Sequence, residues 1–175
     1  MTLSLATSAG ALVRVYAHIP DGFIAFIARF AIAATFWKSG QTKITGLAID
    51  IVDGRFEFGW PRLADATIDL FRDEYRLPFL APELAAIMAS VAEHVFPALL
   101  LVGLATRLSA TALLIMTLTI QIFVYPSAYA VHGVWAVALL FLMAKGAGPL
   151  SLDRLLGRER LALASGEIRR GSEAL

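Results

Sequence analysis

The stretch Pro82 to Thr106, PELAAIMASVAEHVFPALLLVGLAT, is an apolar run long enough to cross a bilayer, and it carries Glu93 and His94 near its middle. A hydrocarbon core ~30 Å thick takes about 20 helical residues, and an ionised carboxylate at its centre is costly enough to require a partner or a purpose. The rest of the chain has to supply that partner. With 58% apolar and only 17% charged residues, the sequence offers too little polar surface for an ordinary water-soluble domain. It reads as an all-α membrane protein.

Four spans are expected, at about 20–38, 83–106, 107–126 and 128–145, forming one four-transmembrane-helix bundle over residues 1–175 without a second domain or repeat. The first span, FIAFIARFAIAATFWKSG after Pro20-Asp21-Gly22, has Trp37 at interface depth and one central ionisable residue, Arg29. At ~1.5 Å per residue Arg29 is roughly 13 Å from either end, so a partner inside the bundle is simpler than snorkelling. Glu93 is the expected partner. Pro97 strengthens the case, because it leaves the Glu93 carbonyl without its helical N–H and should kink the second span there. Two readings of an Arg29–Glu93 pair stay open: an ion pair that fixes helix register, or an anchor for a polar head group or a proton.

Residues 39–81 are too charged for lipid and form an extramembrane segment. Within it, LAIDIVDGRFEFGW alternates apolar and polar residues around Asp53-Gly54, which predicts a two-strand hairpin closed by a type I′ turn. Then PRLADATIDLFRDEYRLP, with Pro61 at a first-turn position and Leu63, Thr67, Leu70, Phe71 and Tyr75 at helical spacing, predicts an amphipathic helix that ends before Pro78. Small surface helices are expected over residues 9–19 and from Leu152 to Leu163. The opening residues lack the pattern of a secretory signal and are expected to stay in the mature protein.

Chemistry-bearing side chains are few. The chain has no cysteine, which excludes thiol–disulfide exchange and iron–sulfur ligation by its own residues. The net charge of +1 gives no electrostatic footprint for nucleic acid. Gln121 and Tyr125 lie one turn apart, where an amide and a phenol suit a quinone carbonyl or simple interhelical hydrogen bonds. His94 points about 100° away from Glu93, and a bis-histidine haem would need His94 and His132 at one depth. Their positions put them on the order of 10 Å apart along the membrane normal, so haem is disfavoured, as is copper, and no metal site is expected.

The termini and the loop at Arg107 share one side, with Arg14, Arg107, Lys145, Arg154, Arg158, Arg160, Arg169 and Arg170, whereas the last loop on the other side has no lysine or arginine. The positive-inside rule then places the termini and the tail 146–175 in the cytoplasm and segment 39–81 outside.

Five pieces in order resemble the DoxX family of small four-helix bacterial membrane proteins: Arg29, SGQTKI (Ser39 to Ile44), Glu93, GLATR (Gly103 to Arg107) and GPLSLD (Gly148 to Asp153). The resemblance implies an inner-membrane protein. It also implies a role beside a partner, since the family includes subunits of a thiosulfate:quinone oxidoreductase, members of oxidative-stress complexes, and companions of enzymes that make copper-binding peptides. Phe71 to Ala86 is more similar to the last group than to the thiosulfate enzyme. Lys43 matches the lysine of the family's motif after the first span, where it would face an anionic ligand or stay solvated at the interface. Together these readings predict a membrane component of a redox system, in contact with lipid and a protein partner and compatible with homo-oligomers. Its outward-opening polar pocket, lined by Arg29, Lys43, Glu93, His94, Gln121, Tyr125 and His132, would take a quinone head group, with electrons coming from outside the chain. The alternative is a non-catalytic accessory that supports assembly, export or metal-peptide maturation. Fold membership does not choose between them.

Overall fold

The computed structural model describes residues 15–51 and 53–157. Arg14, most of the helix expected over 9–19 and the tail beyond Gly157 lie outside the described residues. Four long apolar helices dominate: α1 (Asp21–Gln41), α3 (Pro82–Val102), α4 (Thr106–Phe123) and α5 (Tyr129–Lys145), the last preceded by a single 3-10 turn at Pro126–Ala128. Each is long and apolar enough to cross a membrane, α5 together with that turn as Pro126–Lys145. Between α1 and α3 come strands β1 (Ile44–Asp50) and β2 (Arg55–Leu63) and the short helix α2 (Asp65–Asp69), which continues as a π-helical turn, Leu70–Tyr75. A final turn, α6 (Leu152–Leu155), follows α5.

The long helices pack in a ring in which α1 touches α3 and α5, and α4 touches α3 and α5. Their inward faces hold small and medium residues: Ala25, Ala28, Ile32, Ala33 and Phe36 of α1 meet Leu100, Ala110, Leu113, Leu139 and Leu142. Buried Ser90, Thr106, Ser109 and Thr117 share that interior, while Phe23, Phe26, Phe30, Val91, Ile115 and Val137 are exposed. A surface greasier than its core is stable only against lipid. Where apolar tails surround the helices, packing and hydrogen bonds hold them together, so small and hydroxyl residues belong inside.

Helix limits follow from local chemistry. Pro82 opens α3 at a first-turn position, where its missing N–H costs nothing. Gly103, at φ +69°, ends it in the left-handed conformation, with its own N–H on the Leu100 carbonyl and that of Leu104 on Leu99. The helix runs through Pro97 without a break. The expected spans agree with these helices to within a few residues, but α1 continues through Ser39 and Gly40 to Gln41. That extra turn matters for the site.

The segment between α1 and α3 departs from expectation in two details. The hairpin forms, with Ile49 opposite Phe56 and Leu47 opposite Phe58. However, its loop spans the four residues between Asp50 and Arg55, and the Asp50 carboxylate accepts the Asp53 N–H at 3.0 Å. An aspartate that closes the turn with its own side chain replaces the type I′ geometry. Pro61 lies in β2 instead of starting a helix, within the irregular pairing between Thr45–Arg62 and Leu47–Phe58, where a missing N–H is tolerated. The helix therefore starts at Asp65. Its Phe71 packs with Ala85 and Ala86 of α3, supported by Leu63, Tyr75, Leu77 and Leu80. Arg76, in the left-handed region at φ 44°, stops it before Pro78.

Candidate functional site

The added turn of α1 presents Ser39, Gln41 and, just past it, Lys43 to the middle of α3. Gly40 makes this possible, because a Cβ there would come within 3.0 Å of the Glu93 Cβ and 2.8 Å of the His94 ring. The two helices touch at that point. Lys43 Nζ then reaches Glu93 Oε2 at 2.8 Å. It also donates to Ser39 Oγ at 3.0 Å and to the Ser39 carbonyl at 3.2 Å. Ser39 Oγ in turn donates to Glu93 Oε1 at 3.0 Å. An ammonium, a hydroxyl and a carboxylate thus close a three-membered cycle with the residues of Lys43 and Glu93 only 4% and 3% exposed. Charges this buried persist because each is paired and hydrogen-bonded.

The Lys43 backbone is held from the other side. Its carbonyl accepts the Ala64 N–H at 3.0 Å and the Thr67 hydroxyl at 2.9 Å, so the base of the hairpin and the start of α2 clamp the lysine over Glu93. A lysine four residues after Ser39, one helical turn on, was the available sequence signal for this contact.

The pair predicted from the sequence, Arg29 with Glu93, does not form. Arg29 donates to the Leu150 carbonyl at 2.7 Å and lies over the Phe26 ring, and it crowds Gly103 at the far end of α3. Gly40, not Arg29, is level with Glu93, and eleven residues of helix separate the two by roughly 16 Å. Counting inward from expected helix ends put both charges at mid-depth, whereas the antiparallel register of α1 and α3 sends them to opposite halves. Lys43 was expected to face an anionic ligand or remain solvated. Its buried pairing with Glu93 overturns the solvated reading.

His94 points away from that cycle, as its sequence position requires. Its Nδ1 is 2.7 Å from the Ser90 carbonyl, which can only accept, so Nδ1 carries the proton and Nε2 accepts from the Gln41 amide at 2.9 Å. Gln41 Oε1 accepts the Ile49 N–H at 2.8 Å. A continuous relay of hydrogen bonds therefore runs from the hairpin through Gln41 and His94 to α3. Trp37 packs edge-on to the imidazole and donates its indole N–H to the Ile49 carbonyl at 3.0 Å.

The remaining candidates form two further groups. Gln121 accepts from His132 Nδ1 at 2.7 Å and donates to the Pro126 carbonyl at 2.6 Å, joining α4 to α5. Tyr125 donates to the Glu74 carboxylate and stacks edge-on against Tyr75. Burial, with the Glu93 charge adding to it, pushes the Tyr75 phenol above its ordinary range. The bond to Glu74 does the same for Tyr125. The seven residues read as one outward-opening pocket are thus divided between closed groups, and Arg29 belongs to the opposite end. Among the described residues, no three His, Asp or Glu side chains converge as a metal ion would require. Sequence reasoning missed Ser39, Gln41, Glu74 and Tyr75, polar residues at a helix end or in the segment assigned to water, and Ser90 in the interior of α3.

At the terminus end, GLATR and GPLSLD meet. Asp153 accepts the N–H groups of Ala105 at 2.8 Å and Thr106 at 2.9 Å, capping α4, and donates its own N–H to the Gly103 carbonyl at 2.8 Å. Lys145 pairs with Asp21 at 2.7 Å nearby. The five pieces of the family resemblance are therefore gathered at two places: Arg29, GLATR and GPLSLD at one end of the bundle, SGQTKI and Glu93 toward the other.

Comparison with curated proteins and with solved structures gives no significant match to the chain. The DoxX family profile matches residues 24–126, more than half of the chain, from the first turn of α1 past the end of α4. With four membrane-length helices, three of them inside that match, the chain is a multi-pass membrane protein that belongs to the DoxX family.

Proposed function

We propose that this chain is the membrane component of a redox system in the bacterial inner membrane, with its termini in the cytoplasm, and that the Lys43–Glu93 pair handles protons or a quinone head group there. The observation that carries the reading is the buried Lys43–Ser39–Glu93 cycle at the hairpin end of the bundle. A quinone carbonyl needs a hydrogen-bond donor and a hydroquinone needs a proton acceptor, and this cycle pairs two donors with a carboxylate within one turn of helix. Electrons come from a partner protein or a bound cofactor, since the chain has no cysteine of its own to carry them. The orientation rests on Arg107, Lys145 and Arg154 at the terminus end. Lys43, on the hairpin side, has its charge neutralised by Glu93.

The accessory reading also has an observation in its favour: the cycle is closed on itself and nearly inaccessible, as expected of a pair that only fixes helix register. Purification in mild detergent followed by solvent extraction separates the two. On the redox reading, quinone co-purifies with the wild type and is lost from the K43Q/E93Q double variant, which keeps neutral hydrogen-bonding groups in place. Quinone-free wild-type protein, purified with lipid and folded by circular dichroism, would sink it.

A further inference from the structure

We propose that the β1–β2 hairpin is a membrane-inserted anchor: its aromatic face lies in the headgroup–acyl boundary of the same bilayer that the four helices span. Phe56 and Phe58 share one face of the hairpin with Leu47 and Ile49. Phe58 and Trp60 are 81% and 83% exposed, and Phe56 and Ile51 are exposed too. In water such a cluster would be an aggregation hazard on an unpaired sheet edge.

Depth decides what covers it. A strand leaving the end of α1 would carry Ile49 well clear of the membrane if it ran straight on. Instead Ile49 donates its N–H to Gln41 and accepts from the indole of Trp37, one turn back inside the spanning helix. The hairpin is folded down along α1, so Phe56, directly across from Ile49, is level with the last turns of a membrane span. The exposed ring pair Phe79–Phe123 lies at the same end of the bundle. Arg55 and Arg62, both exposed, bracket the aromatic stretch. Aromatic rings at the interface with guanidinium groups among the phosphates are what a phospholipid surface recognises. A protein partner needs none of this agreement in level with the span.

Trp60 reports on the contact directly. Wild type and W60F are reconstituted in phosphatidylcholine–phosphatidylglycerol vesicles, and their difference spectrum isolates Trp60 from the packed Trp37 and Trp135. Expected is a blue-shifted emission that loses intensity in vesicles brominated near the top of the acyl chain, more than in vesicles brominated near the chain end, with little loss to aqueous acrylamide. Introducing F58W into the W60F background gives a second probe with the same expected result. Emission that acrylamide quenches freely while brominated lipid leaves it unchanged would overturn the proposal. So would protection from both quenchers, which would mean that protein, not lipid, covers this face.

Discussion

Lys43 and Glu93 show how a membrane protein keeps opposite charges out of water. The ammonium spends its protons on Glu93, Ser39 Oγ and the Ser39 carbonyl, so neither partner faces an apolar neighbour uncompensated. Taking away one partner strands the other in a buried place, and such losses cost about 3–5 kcal/mol. Lys43→Met is therefore expected to unfold far more readily in lipid nanodiscs than wild type, whereas K43M/E93L regains most of the loss. Thermal unfolding of the four members of this cycle gives the coupling, and a double variant no better than the sum of the singles would remove the pair from the account. Gly40 belongs to the same scale. Without a hydrogen at that position the two helices could not approach closely enough for the cycle to close.

Among the elements, the joint between α3 and α4 is the most constrained. Gly103 and Gly54 both have positive φ, at 69° and 63°, yet their surroundings differ. A Cβ at position 103 would meet Arg29 Nη1 at 1.9 Å and Ser151 Cβ at 2.6 Å, while at position 54 nothing lies within 4 Å. Gly54→Ala is expected to cost about 1 kcal/mol, from backbone conformation alone. Gly103→Ala adds steric displacement of Arg29 and is expected to cost roughly 2–4 kcal/mol. Denaturation of both variants in the same detergent checks the ranking. The hairpin teaches a related lesson, since its alternating pattern was readable but its four-residue turn depended on an Asp50 side chain that no pairwise turn rule includes.

On the scale of the whole molecule, the segment between α1 and α3 is tied to the opposite side of the bundle by Tyr75, Glu74 and Tyr125. Both phenols ionise less readily here than in free tyrosine, Tyr75 because it is buried and Tyr125 because it donates to Glu74. A pKa raised in the folded state means that the stabilisation is fully present below the ordinary tyrosine value of about 10 and disappears as pH climbs through the raised one. Alkaline conditions should therefore loosen this clasp. Wild type is expected to lose thermal stability as pH rises above about 10 in step with tyrosinate absorbance, and Y125F to lose less over the same interval. Equal slopes for the two proteins would contradict the assignment.

Apolar runs, the prolines at 82 and 126 and the composition determined by themselves that four helices span a membrane, because hydrocarbon accepts only helices that satisfy their own backbone and have length enough to cross it. The alternation around Asp53 likewise determined the hairpin, and Glu93 stood out as the charge in need of a partner. Which cation meets it was decided by tertiary structure. Position along the chain picked out Arg29, but the register of α1 against α3 moves it roughly 16 Å away and brings Lys43 to 2.8 Å instead. Register depends on where two helices touch, here at Gly40, and on a reversal of the chain after Gln41 that returns Ile49 to Trp37. Those contacts join residues through space, and a pattern read along one strand of sequence does not contain the distances that choose between them.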